Sequence, residues 1–288
     1  MSPIRERVGH CVALHRKAAY SPLQHLANDA AIMNGVAAAL ALRGWRLSRS
    51  SEELLEDGPL PPADLYLNMC QGELASEQLM LLERAGATLV NTPSSVLACH
   101  RHRLVRALSG SSIPFPRTLI LPTWLSPETA RALADFVGPR QRVWVKRGDV
   151  HAVAAEDVVL IRNDQVVGAL AQFGARGIRR VAVQEHVRGP VLKFYGVTER
   201  RFFRFYDARW GPRGPAPVVD EARLRAVAFE AADRLRLQVF GGDVALPAPE
   251  HPVLIDLNDW PSFAPYRADA AAAIADYVHA HAQHGVAA

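Results

Sequence analysis

Two segments near the C-terminal end constrain this chain most: VFGGDVALP around Asp243, and VLIDLNDWPSF from Val253 to Phe263. Each reads as a strand. Side chains two apart on a strand point to the same face, so Asp256 and Asn258 project together, and a neighbouring strand brings Asp243 beside them. Two carboxylates and an amide oxygen so placed are hard donors. Magnesium takes one or two carboxylates and completes its shell with water and substrate phosphates. The pattern therefore points to a magnesium site and to nucleotide chemistry. Asn-Asp-x-Pro is also ordinary turn chemistry before Trp260-Pro261, so the motif needs support from the rest of the chain.

The bulk numbers admit this reading. A chain of 288 residues with 49% hydrophobic and 22% charged residues can build one elaborate domain or two. Lysine plus arginine exceed aspartate plus glutamate by only 33 to 29, mostly through arginine, without a basic block. Nucleic acid is therefore not the expected partner, whereas a small anionic molecule suits the balance. Cys11, Cys70 and Cys99 are far apart and form no Cys-x-x-Cys pair, which predicts neither a disulfide framework nor a zinc knuckle. A reducing cytoplasm is the expected location. The opening MSPIRERVGH has no apolar targeting core. The alanine-rich run Val36–Leu42 falls far short of the ~20 residues that span a bilayer, so no membrane partner is expected.

Along the chain, Val8–Leu14 reads as a strand, followed by a helix with Ile32, Val36 and Leu40 on one face that ends at Gly44. Asp64–Met69 reads as a strand, Ser76–Ala85 as a helix and Thr88–Asn91 as a strand. Such alternation predicts a parallel sheet flanked by helices. Glu56–Ala63, with Gly58 and three prolines, reads as a surface connection. A single helix from Thr92 to Gly110 and the proline-punctuated stretch Ile113–Pro122 lead into a second region. There the patterns predict strands Val143–Arg147 and Val158–Arg162, a helix Asp164–Phe173 and a strand Val181–His186. Two strands over Val191–Tyr206 and a helix Asp220–Leu237 precede the Asp243 strand.

In VWVKRGDVHAV, Lys146 falls on the strand face opposite Val143 and Val145, where its ammonium can reach phosphate oxygens. VQEHVRGPVLKFYGV then reads as a strand, a hinge at Glu185–Val187, a turn at Gly189-Pro190 and a strand bearing Lys193. A hinge between two sheets offers backbone groups to an adenine edge while apolar side chains sandwich the ring. Lys146, the hinge, Lys193 and the trio Asp243, Asp256 and Asn258 stand in the order of an ATP-grasp domain, and the resemblance covers roughly Asn91 to Gly285. The chain resembles two branches, the carboxylate-amine ligases and the inositol trisphosphate 5/6-kinases.

The resemblance implies an α/β fold: a parallel-sheet pre-ATP-grasp domain (1–95), then an ATP-grasp domain (96–288). The latter's two α+β subdomains, divided near 184–188, clamp ATP. It implies ATP and one or two Mg²⁺ ions as cofactors, with Lys146 on the phosphates, Gln184, Glu185, His186 and Val187 at the adenine, and Asp243, Asp256 and Asn258 on the metal. Arg103 stands where the family usually has its first phosphate lysine, and Arg101 is equally placed in sequence. Three features depart from the family pattern. The loop Gly148–Glu156 has one glycine where a glycine-rich lid is usual, no acid follows the hinge, and Asp256 replaces the ligases' glutamate, as in the kinase branch.

Lys193, Arg204 and Arg267 are read as holding an anionic acceptor, with Tyr20-Ser21-Pro22, His25, Asn28 and Asp29 as a second candidate contact at the end of the first strand. His100, His102, His279, His281 and His284 are read as surface histidines. The expected activity is a RimK-like carboxylate-amine ligase acting through an acyl phosphate, the alternatives being a small-molecule kinase or a non-catalytic nucleotide-binding protein. A homodimer is left open.

Overall fold

The structure, a computed structural model, describes residues 9–22, 25–136 and 138–285. Val8 and the residues before it, with which the first strand and the targeting reading begin, and the side chain of His284 lie outside the described residues. The chain opens with β1 (His10–His15), α1 (Leu26–Ala41), β2 (Arg46–Ser51), α2 (Glu52–Asp57), β3 (Leu65–Asn68), α3 (Glu73–Arg84) and β4 (Thr88–Val90). These strands lie in the order β2-β1-β3-β4, every pairing parallel. β1 is buried on both faces: Cys11 and Ala13 enter one core, Val12 and Leu14 another. A parallel strand covered by helices has this pattern. α1 puts Ile32, Val36 and Leu40 into the first of those cores. Gly44 follows at φ +86°, a left-handed position that glycine takes without a Cβ clash.

Two antiparallel sheets follow. α4 (Pro93–Ala98) and α5 (Arg101–Leu108) lead to β5 (Thr118–Pro122), α6 (Pro127–Phe136), β6 (Arg142–Arg147), β7 (Val158–Arg162), α7 (Val166–Ala175) and β8 (Arg180–Glu185). The strands assemble as β5-β8-β6-β7. Val143, Val145, Val181 and Val183 bury one face of this sheet against α6 and α7. The register Trp144↔Gln184 and Lys146↔Ala182 sets those four residues on the other face.

The last sheet, β10-β9-β11-β12, uses β9 (Val191–Val197), β10 (Phe202–Asp207), β11 (Val239–Ala245) and β12 (Val253–Asp259). α8 (Glu221–Leu235) covers Leu192, Phe194, Phe240 and Val244 on one side of it. α9 (Arg267–Gly285) then packs back on α1. Trp260 and Phe263 are fully buried in a core shared by α1, α9 and both end sheets, and Trp260 Nε1 donates to Val90 O at 3.0 Å. One core thus crosses the expected division at residue 95.

Sequence patterning passed over several elements. β2, Arg-Leu-Ser-Arg-Ser-Ser, is a polar edge strand held by its backbone ladder to β1, so it carries no apolar alternation. β5 hides among prolines because it too is an edge strand, where Pro122 costs no central ladder bond. α2 and α6 were also not expected. The expected single helix after Thr92 is two helices. The chain turns extended at His100 (φ −60°, ψ 127°), where the ring Nε2 donates to Gln71 O at 3.1 Å. The three cysteines are buried free thiols. Among the described residues no helix is long and apolar enough to cross a membrane.

Candidate active site

The register of β11 on β12 runs Gly241↔Asn258, Gly242↔Leu257, Asp243↔Asp256, then shifts so that Val244 pairs with Leu254 and Ile255 is left over. A bulge of this kind re-aims the side chains on either side of it. Leu254 and Leu257 both enter the α8 core, while Asp256 and Asn258 take the opposite face with Asp243. Gly242 permits the close approach of the strands. A Cβ there would lie 2.4 Å from Asp256 O and 2.6 Å from the Phe194 ring.

Each carboxylate has a cation beside it. Arg101, at the start of α5, donates from Nη2 to Asp256 Oδ2 at 2.5 Å and from Nη1 to Arg147 O at 3.0 Å. Lys193 Nζ donates to Asp243 Oδ1 at 3.0 Å. Lys146, 5% exposed, reaches across from the middle sheet and donates to Ile255 O at 2.9 Å, the carbonyl at the bulge. Burial pulls Lys146 down to about 8 against the opposing pull of Asp256. Burial would raise Asp256, yet Arg101 and Lys146 hold its carboxyl below the ordinary range. Asp243 pushes Lys193 up. Three cations against two carboxylates leave the seam between the sheets net positive, as a polyanion site requires. Phe115, Thr118 and Gln184 join Arg101, Lys146 and Asp256 around a cavity of about 10 Å³. The cleft is nearly closed by the cations' own contacts.

The hinge residues divide between two spaces. Gln184 lines the inner cavity and donates from Nε2 to Thr118 Oγ1 at 3.3 Å. Glu185 and His186 border an open groove of about 660 Å³ with Arg140, Arg142 and Arg188. Trp144 Nε1 donates to His186 Nδ1 at 3.1 Å. Val187 lies in the connection to β9. Arg103 points away from the cleft and pairs with Glu73 at 3.0 Å on the surface. Two positions beyond Arg101 on a 3.6-residue helix is the wrong face, so Arg101, not Arg103, meets Asp256. Arg204 lies over the Phe202 ring at 5.4 Å and donates to Phe203 O. Arg267 donates to Asn28 Oδ1 at 2.6 Å. Asp29 nearby is held by Ser21 Oγ at 2.7 Å and Arg16 at 3.2 Å. Lys193, Arg204 and Arg267 thus each have a local partner, and the register Lys193↔Tyr206 and Tyr195↔Arg204 sets Lys193 and Arg204 on one face of the β9–β10 pair.

No family model and no curated protein matches the sequence. Solved structures do. A RimK domain protein ATP-grasp from Sphaerobacter thermophilus is 22% identical, with 93% of this chain and 99% of that chain covered at a TM-score of 0.67. This chain has the ATP-grasp fold. D-alanyl-alanine synthetase A from Vibrio cholerae matches at 13% identity over 98% of this chain and 99% of that chain, with a TM-score of 0.71. D-alanine–D-alanine ligase from Bacillus anthracis complexed with ATP matches at 12% identity over 96% and 98%, with a TM-score of 0.66.

In this ATP-grasp fold the loop after Lys146 is tied down instead of glycine-rich. His102 Nδ1 donates to Gly148 O at 2.9 Å, Val153 N donates to Asp157 Oδ2 at 2.8 Å, and His151 Nε2 meets Asp259 Oδ1 at 2.9 Å. Sequence reasoning missed Asp259, 1% exposed beside the metal motif, and gave His151 no role. An acid next to Asp-x-Asn and a histidine in place of a lid glycine were the available signals. His100 is not a surface histidine: it is 1% exposed, and burial brings its pKa down to about 4. His279 accepts from Trp45 Nε1 at 3.1 Å. Asp243, Asp256 and Asn258 are hard oxygen donors and fit magnesium. Among the described residues no three His, Cys, Asp or Glu side chains group as a metal centre, so an ion here would complete its shell with water and phosphate.

Proposed function

We propose that the protein is an ATP- and magnesium-dependent carboxylate-amine ligase of RimK-like chemistry, joining a small anionic acid to an amine through an acyl phosphate. One observation carries this reading: Arg101, Lys146 and Lys193 gather against Asp243 and Asp256 at one seam between two antiparallel sheets. The ligases among structures of the same fold, one of them described as complexed with ATP, support it.

Arg101 and Lys146 exchange Asp256 and Ile255 O for triphosphate oxygens, which opens the cleft. Magnesium, held by Asp243, Asp256 and Asn258, would neutralise phosphate charge. Gln184, Glu185, His186 and Val187 present the hinge to adenine. Lys193, Arg204 and Arg267 hold the acid, whose carboxylate oxygen takes the γ-phosphoryl group as its bond to the β,γ-bridging oxygen breaks and ADP leaves, while Arg101 and Lys146 spread the developing charge. The amine then displaces phosphate from the acyl carbon. Incubation with ATP, Mg²⁺ and mixed pools of acids and amines tests this: phosphate release that needs both is expected. Phosphorylation of a polyol would select the kinase instead, and tight ATP binding without any turnover a non-catalytic binding protein.

A further inference from the structure

We propose that the open groove beside the hinge is a docking site for an acidic polypeptide segment, held by Arg140, Arg142 and Arg188. The groove, of about 660 Å³, runs between the connection from α6 to β6 and the stretch after β8. It is separate from the nucleotide cleft. Gln184 lines the inner cavity with Lys146 and Asp256, whereas Glu185 and His186 line the groove, and no residue lines both. All three arginines are exposed, and among the described residues none of them pairs with a carboxylate. Glu185, in the same groove, forms no ion pair with them. One acid against three arginines leaves the groove net positive.

The cations stand on backbone that is already held. Gly138 N donates to Gln141 Oε1 at 3.1 Å and Gln141 N to Gly138 O at 3.0 Å, which closes the turn carrying Arg140. Pro139 O accepts from Asp164 N at 2.9 Å and Gln141 O from Asn163 N at 2.8 Å, so this turn is pinned to the residues after β7. Arg142 opens β6, and its carbonyl accepts from His186 N at 3.3 Å. Arg188 precedes Gly189, which has φ +126° and where a Cβ would lie 2.2 Å from Leu246 O. That close approach fixes the turn to the residue after β11. A receptor ordered before its ligand arrives loses less entropy on binding.

A neutral donor lies among the cations. Trp144 Nε1 can only donate, so His186 Nδ1 accepts its hydrogen bond at 3.1 Å and the uncharged ring carries its hydrogen on Nε2. Burial, and then the charges of Arg142 and Arg188, hold His186 below its ordinary value, so both guanidinium groups act on one ring. Small-molecule pockets are concave and mostly apolar, but Pro139 is the only apolar side chain among the lining residues. Guanidinium groups in an open groove suit carboxylates, which they grip with paired N–H bonds, and arginine clusters recur as readers of acidic motifs. An extended acidic segment rises about 3.3 Å per residue, so it can set separate carboxylates on arginines carried by separate stretches of backbone. Nucleic acid fits less well, because the chain has no basic block to extend the contact.

Fluorescence anisotropy of a labelled hexaglutamate peptide with the full chain provides the test. Saturable binding is expected, and Arg140→Glu combined with Arg188→Glu should weaken it by about tenfold or more. Arg46→Glu combined with Arg49→Glu reverses as many exposed charges on β2, in another sheet, and should leave affinity within about twofold. Equal losses in the two double variants would reduce the effect to net charge and overturn the proposal. Failure of the wild-type protein to bind hexaglutamate at about 1 mM, or equal binding of hexaglutamine, overturns it as well. Hydrogen exchange needs no substitution: saturating hexaglutamate should slow the amides of residues 138–142 and 186–189, and slowing only elsewhere contradicts the inference. A single-stranded oligonucleotide that binds more tightly than hexaglutamate, and loses that binding in the Arg140 and Arg188 double variant, would reassign the groove to nucleic acid.

Discussion

Arg101 Nη2 lies 2.5 Å from Asp256 Oδ2, a bond that joins α5 to β12 across 155 residues of chain. Both side chains are nearly buried, at 7% and 11% exposure. A buried charge left without its partner costs about 3–5 kcal/mol, so neither residue is free to change alone. The pair fixes the helix α5 onto the strand β12 that carries Asp256 and Asn258.

Asp256→Asn keeps the shape and an acceptor for Arg101 but leaves Arg101 and Lys146 less compensated. Mg²⁺-dependent ATP turnover is expected to fall by about 10²-fold or more, and stability to urea by about 1–3 kcal/mol, less than the full cost of an unpaired charge. Turnover close to wild type would remove Asp256 from the site.

The two candidate arginines separate cleanly. Arg101→Ala is expected to weaken nucleotide binding by about tenfold or more, since its hydrogen bonds are charge-assisted. Arg103→Ala removes an exposed pair with Glu73, worth about 1 kcal/mol at most, and should leave affinity within about twofold. Calorimetric titration with Mg-ATP checks both. Equal losses would contradict the assignment.

Lys146→Met removes the cation that crosses from the middle sheet to the β12 bulge. Nucleotide affinity is expected to drop by about tenfold or more, as for loss of a charge-assisted phosphate contact, with the circular dichroism spectrum unchanged. Unaltered affinity and turnover would place the phosphates elsewhere.

His100 carries a pH signature. Burial lowers it from 6.5 to about 4, so between those values the unfolded chain binds a proton that the folded chain does not. Stability therefore falls as pH drops through this window, by roughly 3 kcal/mol at most. Urea unfolding midpoints of wild type and His100→Gln should converge as pH is lowered from about 7 to about 4. Parallel curves would show that His100 is not buried neutral.

Much of this was legible in sequence because the informative strands are either buried on both faces or alternate strictly. Lys146 against Val143 and Val145, and Asp256 with Asn258, follow from a period of two. The bulge at Ile255 does not, since an extra residue alters no local pattern, and yet it decides that Leu254 and Asp256 face opposite ways. Edge strand β2 was invisible because pairing, not apolar burial, holds its polar residues, and β5, although Leu119 and Leu121 face the middle core, is masked by the prolines around it. Arg101 and Arg103 could not be told apart without the break at His100, which sets where α5 begins. The Asp259–His151 pair joins residues 108 apart, beyond the reach of spacing arguments.

A magnesium-bound triphosphate is expected at the seam of the two antiparallel sheets. A crystal structure with Mg²⁺ and a non-hydrolysable ATP analogue tests it most directly. The expected result is phosphate oxygens on Arg101 and Lys146, and the metal on Asp243, Asp256 and Asn258. Nucleotide bound elsewhere, with Arg101 still on Asp256 and Lys146 still on Ile255 O, would contradict it.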